Sequence, residues 1–566
     1  KNVFYFDLSS DFAKVKVNEK EEEKIIIMDS SSLFSYKEYC KLDENCRKVI
    51  DDIKEDPEKQ YNIGIKLIEG HEYFPQNTSV GLKYLKKSIK GNFNESVVYY
   101  IKMLIKGQVI PKNLNKASKL IHKKLNNEKG KSFYLLGKIE KKKQNYEEAI
   151  NYFLKSIEHK NSESMYEYGK MFYKGLGMQI NKEKAVEYFK KSIEFGNVKA
   201  MFRYGQMVKE GEFVKKNSEE GSKLIKMSAD NGYPKASYFY SIMLENGDDV
   251  QKNKEESIRY LKFAANKGYA DSMCKYSKEI KSNSSDSDSM KESIIFAKKS
   301  SDKGNIESMY KYGKMLFDGK GIQKNEKESA RYFKIAAYNG NSNAMLKYGK
   351  MLVYGNGIQV DEKKGVEFIL LAIEHGNNKA MNTYGYMLKY GEGVQINKEE
   401  AIKYFKMAID KGNAYSMVNY AEMLQVGDFV PVDKKEAIKY YKMAIDKGND
   451  DAMLSYAKML QYGEGVEMNR EESIKYYKMA IDKGNNNAIL NYYLMFEYDD
   501  NDSSYKKESI ELISKAIEEG NDDVINKYGV FLMDKKKGHL EEELKLFKKS
   551  ADLGNTHAMI NYAQAL

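Results

Sequence analysis

The feature that most constrains this chain is a fixed spacing of glycines. Gly196, Gly232, Gly268, Gly304, Gly340, Gly376, Gly412, Gly448, Gly484 and Gly520 follow one another at intervals of 36 residues. A period of that length marks stacked supersecondary units, each too small to bury its own apolar face and each completed by its neighbours. Within one unit, Asn449 to Gly484, the residues Ala452, Met453, Tyr456, Ala457, Met459 and Leu460 fall on one face of a helix. Gly463-Glu464-Gly465 ends that helix, because glycine tolerates the positive φ of a helix exit. Asn469, with Glu472 three residues on, predicts the N-cap of a second helix that turns Ser473, Tyr477, Ala480 and Ile481 inward. Gly484 closes the unit and Asn485 caps the next. One unit is therefore a first helix, a glycine loop, a second helix and a glycine turn.

A tyrosine recurs in the first helix, as in Tyr312, Tyr348, Tyr384 and Tyr456, and the next residue is small: Gly313, Gly349, Gly385 and Ala457. A ring beside a near-absent side chain lets two helices approach closely while the ring fills the groove alongside. At helical spacing and fixed period, this stripe reads as core rather than as an aromatic ligand platform. Tyr493 follows Tyr492 where a small residue is expected, which predicts looser packing there.

The stretch Ala380 to Ala408 has the pattern A-M-x-x-Y-G-x-M-L-x-x-G-x-G-V-x-x-N-x-E-E-A-I-x-Y-F-K-M-A. It closely resembles the Sel1-like repeat, a relative of the tetratricopeptide repeat with a longer loop between its helices. The resemblance covers residues 56 to 566. It implies an all-α, right-handed α/α superhelical solenoid of about fourteen helix pairs that acts as a scaffold or adaptor for other proteins. It brings no catalytic residues and no cofactor.

The organisation along the chain follows. Residues 1–55 do not fit the repeat: Val3 to Phe6 and Ile25 to Met28 read as short strands separated by the charged run Glu19 to Lys24, and Leu33 to Ile53 reads as helical. Divergent repeats occupy 56–160, strict 36-residue repeats 161–520, and a short repeat with a partial capping helix 521–566. Two links between helices depart from the pattern. Ser282 to Ser289 is a serine-aspartate run, read as a flexible polar loop or a phosphorylation cluster. Asp500, Asp502, Ser504 and Glu511 mimic calcium-loop positions, but Tyr505 stands where glycine is required, so calcium is rejected. The chain opens with Lys, which predicts a fragment or a processed chain.

Composition narrows the function. Three scattered cysteines, Cys40, Cys46 and Cys274, favour a reducing compartment and hence the cytoplasm. No apolar run reaches membrane length; the longest, Val366 to Ile373, is the inner face of a second helix. The net charge of +11 is spread over 566 residues with acids interleaved, which argues against nucleic-acid binding. The G-x-G pairs follow helices rather than strands and are helix exits. The six histidines make no metal-ligand spacing, and His159 and His375 sit at second-helix C-termini, where a cation suits the dipole.

In tetratricopeptide-like arrays the first helix lines the concave face. Two residues after the signature tyrosine stand Lys170, Lys314, Lys350 and Lys458, with Tyr386 at the same site; six after it stand Tyr354, Tyr390, Tyr462 and Tyr498. These rows of lysine and tyrosine predict a groove for an extended acidic peptide of a protein partner. The alternative is the regulatory C-terminal half of a larger enzyme, such as a protein kinase, with its catalytic domain upstream of Lys1.

Overall fold

The computed structural model describes residues 4–7, 14–19, 22–26, 56–69, 77–107, 109–125, 127–283, 286–496, 503–534 and 540–566. The chain divides into two compact units, Lys1–Ser272 and Met273–Leu566, with the boundary inside the helix Ala270–Asn283. The first unit opens with an antiparallel meander of β1 (Phe4–Asp7), β2 (Lys14–Glu19) and β3 (Glu22–Ile26). Phe4 lies opposite Val17, and Glu19 opposite Glu22. The charged run expected to separate two strands is thus a hairpin, with β2 and β3 extending into it. The helix expected over Leu33 to Ile53 lies outside the described residues.

From Pro57 onward the described residues form α-helical hairpins: fourteen pairs, followed by a single helix Thr556–Ala565. Each unit is therefore an α-solenoid. Most helices span 13 residues, as in the pair Asp450–Tyr462 and Arg470–Asp482. The local causes are those of the sequence. Gly463 adopts φ +67° and its N–H donates to the Met459 carbonyl, which satisfies an orphan group at the helix end. The Asn469 side chain accepts from the Glu472 N–H at 3.0 Å and starts the second helix.

The core is built from the ring and the small residue together. Tyr312 meets Tyr332 of the second helix edge-on at 5.1 Å, and Tyr456 meets Tyr476 at 5.0 Å. The adjacent small residue makes room for the next second-helix ring: a Cβ on Gly313 would lie 3.0 Å from Phe333, and one on Gly385 would lie 2.8 Å from Phe405. Where the small residue is Ala421 or Ala457, the ring is Tyr441 or Tyr477, and its hydroxyl donates to Gln425 or Gln461 at 3.0 and 2.7 Å. Tyr312, Tyr348 and Tyr456 are buried and Tyr384 is half-buried. At the exception, the looser packing expected at Tyr493 is found within its repeat: the helices Asn486–Phe496 and Ser503–Glu518 approach less closely than the pairs with Gly or Ala at that position, while the Tyr493 ring packs on Tyr528 and Phe531 of the following repeat, each at 5.8 Å.

Two contacts tie neighbouring repeats. An asparagine starts most first helices, and several work in both directions: Asn485 accepts from the Ala488 N–H and donates to Asp450 and Asp451 of the preceding repeat, at 2.9 and 3.1 Å. Asn377 and Asn521 do the same toward Asn343 and Asn486. The second loop glycine presses on the preceding repeat, since a Cβ on Gly465 would sit 2.4 Å from the Lys434 Cβ. Phe213, Asp249 and Phe429 occupy this loop position elsewhere, with φ of +58°, +56° and +62°, a backbone that costs a side-chain-bearing residue about 1–2 kcal/mol.

The irregular links also resolve in part. Helix Ala270–Asn283 takes in Ser282, and Asp286 caps the helix Ser287–Asp302, so the polar loop is shorter than expected. Residues 284–285, Asp500, Asp502, His71, His539, Cys40 and Cys46 lie outside the described residues, while Ser504 and Glu511 fall within the helix Ser503–Glu518.

Gly465→Ala is expected to cost about 2–3 kcal/mol, from positive φ plus the clash on Lys434. Gly484→Ala has φ +88° but open space around it, so it should cost only about 1 kcal/mol. Comparing urea unfolding midpoints of the two variants checks this order. Asn485→Ala should cost about 1–2 kcal/mol for the lost cap, and Asn485→Asp should cost at least as much at pH 7, because it keeps the cap acceptor but sets a third carboxylate against Asp450 and Asp451.

Candidate functional site: the first-helix groove

Positions within a first helix are conveniently counted from its signature tyrosine. In the second unit a concavity of about 480 Å³ is lined by first helices of four successive repeats. Five residues before the tyrosine stand Tyr415, Asp451 and Asn487; two before, Asn382, Val418 and Leu454; one before, Asn419 and Ser455; two after, Tyr386, Glu422 and Lys458. The helical repeat puts these offsets on one face, next to the buried one. The wall is polar and ordered: the Asn382 carbonyl oxygen accepts from Ser416 Oγ at 2.7 Å and from Asn419 Nδ2 at 3.0 Å. Water reaches Glu422 from one side, yet the surrounding wall raises its carboxyl pKa; Lys389 opposes the rise and Asp451 adds to it. Burial lowers the Lys458 pKa.

Upstream in the same unit the groove is basic. Lys347, one residue before Tyr348, has its pKa lowered by burial and by Lys350, Lys314 and Lys379, with Asp318 opposing. The Lys347 ammonium therefore lies close enough to feel the other three. Lys350 also lies over the Tyr354 ring, 5.9 Å from its centre.

The first unit repeats the arrangement. Lys102 and Lys138 stand at the same offset as Lys170, and burial lowers the pKa of both. Lys138 sits over Tyr134 and Lys170 over Tyr166, at 5.5 and 5.2 Å. Glu167 lies among them, 9 % exposed, with Lys141 at 2.7 Å and Lys170 at 3.4 Å. Burial alone would raise its carboxyl, but Lys170, Lys141 and Lys138 overcome that and hold it down at about 2.

Of the residues singled out by sequence, the structure brings Tyr386 and Lys458 into one concavity and Lys314 and Lys350 into one basic stretch. Lys170 belongs to the first unit, already paired with Glu167. Tyr354, Tyr390 and Tyr462 are the last residues of their first helices, at the rim beside the glycine loop, and the Tyr354 hydroxyl donates to Glu392 of the next repeat. Tyr498 lies outside the described residues. Sequence reasoning missed Lys102 and Lys138 because their repeats lack the Tyr-Gly pair in full; Gly137-Lys138, 32 residues before Gly169-Lys170, is the signal that marks them. It also missed the offsets five, two and one before the tyrosine, which carry the amides.

Among the described residues no group of three His, Cys, Asp or Glu side chains could hold a metal ion, and no helix is long and apolar enough to cross a membrane. His375 caps its helix as expected, with Nδ1 2.9 Å from the Leu371 carbonyl oxygen.

Comparison with known proteins gives a consistent result. The family described as Sel1 repeat matches residues 60–93, 130–161, 306–341, 342–377, 378–413, 414–449 and 450–485, and plant tetratrico peptide repeats match 174–285. These matches give no support to reading the chain as the regulatory half of an enzyme. Among solved structures, c5321, a protective antigen of uropathogenic Escherichia coli strains with an SLR fold, is 18% identical; the match covers 85% of this chain and 96% of that one at a TM-score of 0.50. It shows the shared fold. A Sel1 repeat protein from Oxalobacter formigenes is 22% identical over 53% of this chain and 87% of its own, with a TM-score of 0.41. No curated protein matches the sequence.

Glu167→Gln should destabilise the first unit by about 2–3 kcal/mol at pH 7. The folded carboxyl is depressed from 4.5 to about 2, so its contribution is complete above pH 4.5 and is lost as the pH falls through 2. Urea midpoints of parent and variant should therefore converge between pH 4.5 and 2.

Proposed function

We propose, from the premise that the chain belongs to the Sel1-repeat family, that it is a non-catalytic scaffold whose first-helix groove holds an extended acidic segment of a protein partner. One observation carries the reading: Lys314, Lys350 and Lys379 stand around the half-buried Lys347 on one stretch of groove, leading into the concavity lined by Tyr386, Tyr415 and Lys458. An anionic ligand there would offset both the charge those three place on Lys347 and the solvation that burial takes from it. Tyr386 and Tyr415 offer broad contact at low entropy cost, and the amides of Asn382, Asn419 and Asn487 suit a peptide backbone. Cytoplasmic residence fits a chain with three scattered cysteines, of which Cys274 is free and buried.

The test is fluorescence anisotropy with a labelled 16-residue Asp/Glu/Tyr peptide and its Lys-for-acid counterpart. The acidic peptide should bind, with affinity falling steeply with salt. Lys314→Glu, Lys350→Glu and Lys458→Glu together should weaken it at least tenfold with an unchanged circular dichroism melt. Equal binding by parent and variant sinks the groove assignment.

A further inference from the structure

Four consecutive repeats of the second unit expose apolar side chains in two rows along the edge formed by their glycine loops. One row is the last residue of each first helix, Tyr354, Tyr390, Val426 and Tyr462, between 43 % and 71 % exposed. The other stands six residues later in the loop: Val360, Ile396, Val432 and Met468, between 54 % and 67 % exposed. The rows are adjacent, since a Cβ on the intervening Gly355, Gly391 or Gly427 would touch Val360, Ile396 or Val432 at 2.7–2.8 Å.

The fold does not require this. At the first position other repeats carry Lys174, Glu210, Asn246 and Asp318, and at the second Ile180, Lys216, Lys252 and Lys324. Ile180 is exposed like its counterparts but stands beside Lys174, so the repeat closes without an apolar pair, and the paired rows are a property of these four repeats among those compared. Phe429 extends the rows in the third of the four. It is 63 % exposed and held at φ +62°, where Gly357, Gly393 and Gly465 stand in the neighbouring loops. Phe213 takes the same strained position in the first unit, but there it stands between Glu210 and Lys216, whereas Phe429 adds its ring to two apolar neighbours, Val426 and Val432. Contiguous exposed apolar surface of this kind marks an interaction site.

The charge around the rows selects the occupant. Residues 354–362, 390–398, 426–434 and 462–470 contain seven carboxylates against Lys398, Lys434 and Arg470, a net of −4 in a chain of net +11. An anionic membrane surface is therefore disfavoured, and a cationic apolar partner favoured. Repeats stack at roughly 10 Å, and seven residues of an α-helix rise about 10.5 Å, so apolar residues at heptad spacing keep step with the rows.

We propose that the glycine-loop edge of repeats 342–485 is a second docking surface, distinct from the concave groove, that takes a basic amphipathic helix of a partner protein along its two apolar rows.

The probe is a labelled 28-residue helical peptide with Leu and Ile at heptad a and d positions and Lys elsewhere on its flanks, alongside a version with Glu in place of Lys. The full chain should bind the Lys peptide, and Val360→Ser, Ile396→Ser, Val432→Ser and Met468→Ser together should weaken binding at least tenfold. Val426→Asn with Tyr462→Asn copies what the fold already carries at Asn246; it should weaken binding severalfold, and it decides the matter if the serine variant melts early. The groove variant Lys314→Glu, Lys350→Glu and Lys458→Glu should bind the Lys peptide undiminished, so this surface and the groove stand or fall separately. Equal affinity for the Glu peptide, or undiminished binding by the folded variants, overturns the proposal. It is also overturned if the serine variant abolishes binding to phosphatidylserine vesicles, which would assign the rows to lipid. Loss of a dimer in sedimentation would assign them to a second copy and overturn it likewise.

Discussion

The helix pairs depend on one contact: a second-helix side chain, a ring in most repeats and Ile225 or Ile369 in two, seated where the first helix has almost no side chain. Phe333 against Gly313 and Phe405 against Gly385 lie closer than a Cβ would allow, so each pair of helices is locked at short range. The signature tyrosine then meets the neighbouring second-helix ring edge-on, an arrangement that favours the ring quadrupoles. Close approach at one face of the first helix leaves its other side chains on a regular lattice. The offsets that line the groove inherit their regularity from that contact, and so do the rows at the rim. Surface order here is a consequence of core order.

Much of this was legible in the sequence because the period is written in residues with strong local rules. Glycine at positive φ, asparagine at a helix start and a tyrosine beside a small residue each act over a few positions, so Gly463, Asn469 and Tyr456 could be placed one by one. The fourteen pairs followed from counting. The charged run Glu19 to Lys24 was misread because charge was taken as a loop signal, whereas backbone pairing sets Glu19 opposite Glu22 whatever their side chains. At Tyr493 the loss of the small residue was legible, but not the rings it would meet, Tyr528 and Phe531, which lie in the next repeat. At the groove, one offset was legible and three were not. The lysine row announces itself by composition, whereas Asn382, Asn419 and Asn487 look like ordinary polar residues until four helices are set side by side.

The two faces of the second unit differ in the physics of attraction. In the groove, lysines held together by the fold sit at raised electrostatic potential, and long-range steering would dominate encounter. At the rim, carboxylates are mostly satisfied already: Asp428 pairs with Lys398 at 2.6 Å and Glu464 with Lys434 at 3.6 Å. Binding there would combine desolvation of apolar surface, which salt barely affects, with attraction between the remaining negative charge and a cationic partner, which salt screens. One array thus presents a basic face and an acidic, apolar one.

Several of the asparagines that begin the first helices are bound forward and back, so the N-terminal ends of successive first helices are fastened at a set interval. The opposite ends are joined as well, by loop glycines pressed on the preceding repeat and by side-chain links such as Tyr354 to Glu392 and Lys398 to Asp428. Mechanically this is a ladder held along both rails. Bending within the second unit must then change both sets of links together, so the two rails set one curvature. A ligand that bridges several repeats along the loop rail would fix that curvature, and with it the width of the concave side, without touching a single residue of the groove.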